Sequence, residues 1–332
     1  MKWIITIFFI YAFPALADDC AKNRAVLEIG AYSTKLFQAE VDICQNKVKE
    51  TLIRKTSIIN FHHGLENKRP LRFKNKALEE AEQSIIKLIK QLQGSPELII
   101  LANNLFKETT NGKDFLRKLN KKSSKVIFVS ANTKAILNFI SAYSILGGSA
   151  EKYLIWDIGA SGMNMTAYEG GTYHTHKDNL SSLTFKNMVL NAVKKKTHLK
   201  NISPNPLGKE GIQASIEMIR LYTRFELKKE FLDLTKKRVL IGIGGVHTKS
   251  LKKLVPNNKN YYSLEEIKLA IDKYADKKDE QIKSPSPDMQ VTNLIMIYGQ
   301  MLELGQEALL TINTDMIHSS LLYPEFWATH GP

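Results

Sequence analysis

At 332 residues with 43% apolar side chains, the chain can bury one large core or two ordinary ones. Forty-seven Lys and Arg against 33 Asp and Glu leave a net charge of +14, a field that suits polyphosphate, nucleic acid, lipopolysaccharide or an anionic membrane face, or simply a solvated basic surface. Internal repeats and low-complexity tracts are absent. Beyond the first residues no stretch is long and apolar enough to span a bilayer as a helix.

Residues 1–17 read as a secretory signal peptide. Lys2 supplies the positive start, Trp3 to Phe13 the apolar core, and Ala15-Leu16-Ala17 the cleavage site. The core is too short for a membrane span, which needs about twenty apolar residues. Asp18 and Asp19 separate the small residues from Cys20, which disfavours a lipoprotein. The mature protein is therefore expected in the periplasm or outside the cell. There an even pair of cysteines, Cys20 and Cys44, suggests a disulfide. Ala25 to Ile29 and Leu36 to Ile43 read as two strands turning near Ala31–Thr34, which sets Cys20 opposite Cys44. The bridge would close a loop of about 25 residues, worth on the order of 3 kcal/mol.

That hairpin holds the first of three similar turns. Val26-Leu27-Glu28-Ile29-Gly30-Ala31-Tyr32-Ser33-Thr34-Lys35 is an apolar strand, an acid, a small-residue turn and a returning strand. Asn75 to Gln93 follows as an amphipathic helix stopped by Gly94 and Pro96. Leu98 to Ala102 and Lys125 to Val129 read as short strands, and Asn132 to Leu146 as a helix ended by Gly147-Gly148. The second turn is Tyr153-Leu154-Ile155-Trp156-Asp157-Ile158-Gly159-Ala160-Ser161-Gly162. Small residues there let backbone N–H groups approach an anion. His174 and His176 lie two apart on a predicted strand, where an exposed edge explains them better than a metal. Ser182–Lys195 and Lys209–Leu234 have helical period, the latter with Ile212, Ile216, Ile219, Tyr222 and Phe225 as core. The third turn, Ile241-Gly242-Ile243-Gly244-Gly245-Val246-His247, runs from a strand into a helix, a ready anion site. A capping box at Ser263, a loop at Ser284–Pro287, an apolar helix over Val291–Leu304, a strand over Ala308–Asn313 and a short helix over Met316–Leu321 complete the chain. The alternation of strands and helices predicts an α/β protein.

The three turns together resemble those of the Ppx/GppA family, the exopolyphosphatases and guanosine pentaphosphate phosphatases of the actin-like ATPase superfold. Glu28-Ile29-Gly30-Ala31-Tyr32-Ser33 is similar to its first phosphate loop, DIGSNS, and Asp157 to Gly162 to its second, DIGGGS. Ile243-Gly244-Gly245 with Thr248 resembles the later GTGGT-type loop. Ala102 to Asn111, followed by Phe115-Leu116, resembles ATSALREAxN…FL, and Val126–Leu137 the segment ISGxEEAxL. The resemblance implies a two-domain, actin-like (ribonuclease H-like) ATPase fold with an interdomain cleft, in a short form without an HD-type extension. The domains are expected over 18–130 and 131–325, with the last helix free to pack back on the first. It further implies a phosphate cradle of Gly30, Ser33, Lys35, Lys107, Asn111, Gly159, Ser161, Gly162, Gly244 and Gly245. Asp157 and Glu28 become the candidate catalytic acids and candidate ligands of a divalent ion such as Mg.

The departures from the pattern matter as much. The family's paired glutamates after SGx are Thr133 and Lys134 here, and Gly162-Met163-Asn164 stands where its second loop continues to STE. Neither Thr133 nor Asn164 accepts a proton from water at neutral pH. The arginine of ALR is Lys107, without a bidentate grip, and Ser181-Ser182 and Thr184 replace a GSxR element. The leading expectation is a protein that binds a phosphate-rich ligand, above all polyphosphate, with hydrolysis weakened or lost. A hydrolase with a substitute acid (Glu28 or Glu108) and a partner-binding scaffold whose cleft Tyr32 blocks are the competing readings. A homodimer stays open.

Overall fold

The computed structural model describes residues 20–328, apart from 31–32, 60, 62–63, 67–68, 122–124, 160–161, 258 and 285. The predicted signal peptide, Tyr32 and Ser161 thus lie outside the described residues.

Two mixed sheets organise the chain. The first has the order β3-β2-β1-β4-β5. Its strands β1 (Ala21–Ile29), β2 (Ser33–Asp42) and β3 (Lys47–Ile58) form an antiparallel meander, while β4 (Glu97–Ala102) and β5 (Lys125–Phe128) run parallel to β1. Helices α1 (Asn75–Ile89), α2 (Leu105–Glu108) and α3 (Gly112–Asn120) cover one face. Cys20 and Cys44 are disulfide-bonded at the open end of the β1–β2 hairpin, 5.4 Å apart at Cα.

After α4 (Ala131–Leu146) the same topology is built again. Strands β6 (Tyr153–Ile158), β7 (Met163–Glu169) and β8 (Thr172–Asp178) form a second meander. Helices α5 (Ser182–Met188), α6 (Gly208–Glu226) and α7 (Lys229–Thr235) lead to β9 (Val239–Ile243), which pairs parallel with β6. A wide turn over Val246–Leu251 and α8 (Lys252–Leu254) precede β10 (Tyr261–Ser263), α9 (Leu264–Tyr274) and the long α10 (Pro287–Leu304). Strand β11 (Ala308–Thr311) pairs parallel with β9, giving the order β10-β11-β9-β6-β7-β8. Without the short edge strand β10, this is the first sheet repeated, with β6 in the place of β1. The arrangement is the α/β, two-domain, actin-like fold.

Strand periodicity puts the two acids where they are. Successive side chains alternate between sheet faces. On β1, Ala25, Leu27 and Ile29 enter the core under α1 and α3, so Val26 and Glu28 face the opposite way. On β6, Leu154, Trp156 and Ile158 enter the large core with α6 and α10, so Ile155 and Asp157 face away from it. Both of those other faces pack against α4: Leu137 meets the first sheet, while Phe139 and Ala142 meet the second. Helix α4 is thus wedged between the sheets, with both acids beside it. Helices α11 (Met316–Ser320) and α12 (Pro324–Trp327) return to the first sheet, where Met316, Ile317, Leu321 and Phe326 pack against Val26 and Phe37. Arg24 holds this return by donating to the Leu321 carbonyl (2.9 Å) and stacking 4.3 Å from the Trp327 ring.

Two local expectations change, and one strand was not anticipated. The helix predicted over Lys209–Leu234 breaks at Leu227 and Lys228, which take extended conformations so that Leu227 and Phe231 enter the core. Phe225 is not core: it is 81% exposed, off the stripe that Ile212, Ile216 and Ile219 bury. Strand β3 was not visible in the sequence because it is an edge strand whose Lys, Arg and Glu protect an open edge and hide the apolar alternation.

Candidate functional site

Between the sheets lies a cleft with two adjoining lobes, of about 510 and 360 Å3, which share Glu28, Lys134, Gly159 and Met316 as walls. The smaller lobe is bounded by Lys35, Arg54, Lys55, Lys134 and Lys249 against Glu28, Asp157 and Asp315, so its walls carry more positive than negative charge. The larger lobe has Lys134 and Lys177 against Glu28, Asp178 and Glu226.

Of the residues expected at the site, the structure brings Glu28, Gly30, Ser33, Lys35, Asp157, Gly159, Gly162, Gly244 and Gly245 to these walls. It does not bring Lys107 and Asn111 there. Lys107 Nζ lies over the Phe128 ring, 4.8 Å from its centroid. The Asn111 amide is committed to the Phe73 backbone, accepting from its N–H at 3.0 Å and donating to its carbonyl at 2.9 Å. Two expected cradle amides are also spent on the turns themselves. Gly30 N–H donates to the Ser33 carbonyl (3.0 Å) and Gly159 N–H to the Gly162 carbonyl (2.9 Å).

The third glycine turn serves Asp157 directly. Gly244 has φ +81° and sits so close that a β-carbon there would collide with Asp157 Oδ1 and the Ile158 carbonyl. Asp157 is 7% exposed. Its Oδ2 accepts from Asn138 Nδ2 at 2.9 Å and faces Lys134 Nζ at 3.8 Å. Burial pushes its carboxyl above the ordinary aspartate range; Lys134 and Lys35 oppose this, while Asp315 and Glu28 add to it.

Asp315, which the sequence reading missed, closes the site. It is the N-cap of α11, with its side chain accepting from Ile317 N–H. Its Oδ2 also accepts from Lys35 Nζ at 2.8 Å, while Arg54 lies 4.0 Å from Oδ1. Lys35 Nζ is at the same time 3.2 Å from Glu28 Oε2. Burial disfavours the lysine charge, but Glu28 and Asp315 outweigh it and raise the Lys35 pKa. Burial likewise acts upward on Asp315, yet Lys35 and Arg54 hold its carboxyl below the usual range. A short polar residue before a helix was the only available signal for Asp315, and it speaks of capping, not of a cleft.

The positions of the replaced glutamates are equally informative. Thr133 is engaged at the start of α4, where its N–H donates to Ser130 Oγ (3.0 Å) and the two hydroxyls lie 2.8 Å apart. Lys134, one residue on, reaches the boundary between the lobes. Asn164 pairs with Asp157 across β6 and β7. The substitute acids differ in position: Glu28 is ion-paired in the cleft, while Glu108 is not among its walls. His176 packs on Phe231 (5.9 Å between centroids). Among the described residues, the one cluster with metal-like spacing is Cys20, Asp42 and Cys44, whose sulfurs form the disulfide.

No family model and no curated relative matches the chain at the sequence level. Solved structures do. A Ppx/GppA family member from Aquifex aeolicus superposes with a TM-score of 0.71 at 14% identity, over 94% of this chain and 100% of that one. An exopolyphosphatase-like protein gives 0.67 at 15% identity, over 92% and 98%. An exopolyphosphatase from Cytophaga hutchinsonii gives 0.64 at 13% identity, over 90% and 96%. The fold is that of the Ppx/GppA proteins. Within the Ppx/GppA fold, this chain places lysine-paired carboxylates at the junction of its two sheets.

Proposed function

We propose that the protein is an exported polyanion-binding protein on a Ppx/GppA fold, with inorganic polyphosphate as its ligand and with hydrolysis weakened or lost. The observation that carries this reading is the smaller lobe: five basic side chains surround it, and its three acids already face cations. Such walls attract a phosphate chain by charge. They offer little to activate a water, because Thr133 and Asn164 cannot act as bases and Glu28 is held by Lys35. Export rests on residues 1–17, and the Cys20–Cys44 disulfide suits an oxidising compartment. Among the described residues no helix is long and apolar enough to cross a membrane.

The test is equilibrium binding of polyphosphate to the mature chain at low salt, run beside an assay of phosphate release. Saturable, salt-sensitive binding with release no faster than in an Asp157→Ala variant supports the reading. Metal-dependent release that Asp157→Ala abolishes would instead identify a working phosphoanhydride hydrolase. Absence of both would leave the fold serving as a scaffold.

A further inference from the structure

The acids that could hold a divalent ion are each already faced by a cation of the chain itself. Lys35 Nζ bridges Glu28 (3.2 Å) and Asp315 (2.8 Å), with Arg54 at 4.0 Å on the other Asp315 oxygen. Lys134 Nζ faces Asp157 Oδ2 at 3.8 Å, and the other Asp157 oxygen is backed by Gly244. Three carboxylates are thus matched by two ammonium groups and one guanidinium. A magnesium ion wants a near-octahedral shell of oxygens. Here it would have to enter between carboxylates and ammonium groups that repel it, and displace Lys35 from a partly buried ion pair. The donor set does not suit a divalent ion.

We propose that Lys35 and Lys134 take the place of a divalent cation, so that the cleft binds a phosphate-rich anion without metal. This rests on the polyanion-binding reading and adds to it which charges neutralise the ligand. The two lysines divide the work. Lys35 is locked between Glu28 and Asp315 and, with Arg54 beside Asp315, offsets their charge, which would otherwise repel the ligand. Lys134 is looser, with its side chain 42% exposed, and stands on the wall common to both lobes. It is a compact point charge on a flexible stem, a form suited to phosphate. In the free protein it rests near Asp157, and in the complex it turns to the ligand.

The experiment uses the mature chain and titrates inorganic polyphosphate in chelator and in excess magnesium. Manganese alone is titrated separately by calorimetry and by electron paramagnetic resonance. The native protein is expected to bind polyphosphate in chelator at least as tightly as in magnesium, which screens the cleft and complexes the polyanion, and to take up no manganese at the cleft. Lys134→Glu, a change at a half-exposed position, should lose about tenfold or more in affinity in chelator. It should also gain a manganese site and recover polyphosphate binding when magnesium is added. Unchanged melting shows that the variant is folded, and Lys134→Met separates loss of charge from gain of a ligand. Native binding that vanishes in chelator, or a manganese site in the native cleft, overturns the inference and leaves the polyanion reading standing. No polyphosphate binding in either medium overturns that reading and this inference with it.

Discussion

Lys35 and Asp315 stand 280 positions apart in the chain, yet their side chains meet at 2.8 Å. One leaves the first glycine turn on β2; the other caps the helix that returns from the second sheet. Their ion pair fastens the start of α11 to the mouth of the first hairpin, on the wall of the smaller lobe.

Removing the Asp315 charge is therefore expected to trade stability for affinity. In Asp315→Asn, Lys35 keeps only Glu28 as a counter-ion, and the lobe gains one net positive charge. Because both side chains are partly exposed, the loss of stability should be modest, about 1–2 kcal/mol. Polyphosphate binding should strengthen by roughly fivefold, with a steeper salt dependence. Urea midpoints and a salt series of binding isotherms check both. Weaker binding by the variant would show that Asp315 assists the ligand instead of opposing it.

A pH dependence of stability follows from His247. The ring is fully buried against Trp156, 4.5 Å between centroids, and its Nδ1–H donates to the Ile243 carbonyl at 2.7 Å. Burial pushes its pKa down to about 4. The folded value lies below the unfolded one of about 6.5, so on acidification the unfolded chain takes up the proton first. The contribution is fully present above about pH 6.5 and is lost as pH falls towards 4, on the order of 3 kcal/mol in all. Denaturation of the native chain and of His247→Gln between pH 7 and 4.5 isolates the effect. Equal slopes for the two proteins would rule out His247 as its source.

The two adjacent glycines of the third turn should behave oppositely. Gly244 has φ +81° and no room for a β-carbon beside Asp157, whereas Gly245 has φ −66° and open space around it. Gly244→Ala is expected to cost about 2–3 kcal/mol through backbone strain and displacement of Asp157. It should also weaken polyphosphate binding. Gly245→Ala should change either quantity little. Thermal melting and binding of the pair decide the matter, and equal effects would mean that the turn does not depend on its close approach to the acid.

How far the site could be read from the chain follows from the range of its contacts. Gly30, Gly159, Gly244 and the acids Glu28 and Asp157 sit in short turns, where local composition carries the signal, and these do gather in the cleft. The α/β alternation and the hairpin that pairs Cys20 with Cys44 are equally local. Lys107 and Asn111 were placed by resemblance alone, and the structure uses them for packing on Phe128 and for bonding to Phe73. Asp315 and Arg54 reach the site only through tertiary contact, one from a helix cap and one from a charged edge strand. Lys134 was visible as a substitution, but its role depends on α4 being wedged between the sheets. The break at Leu227 has the same cause, because burial there overrides a continuous helical period.

The disulfide offers a last separation of stability from function. It joins Cys20 and Cys44 where β1 and β2 begin and end, while Glu28 and Lys35 face each other at the opposite end of the same hairpin. The eight positions from Cys20 to Glu28 along the strand set the two ends about 26 Å apart. The bridge spans 24 positions, so its loss releases loop-closure entropy in the unfolded chain worth about 3 kcal/mol. The nine paired positions of β1 and β2, clamped between β3 and β4, keep the register without it. A Cys20→Ser, Cys44→Ser double variant should therefore lose stability by that amount yet bind polyphosphate with unchanged affinity below its melting range. Reductant should lower the native midpoint similarly and leave the double variant unaffected. A variant that melts as before but binds more weakly would mean that the bridge shapes the cleft through the hairpin.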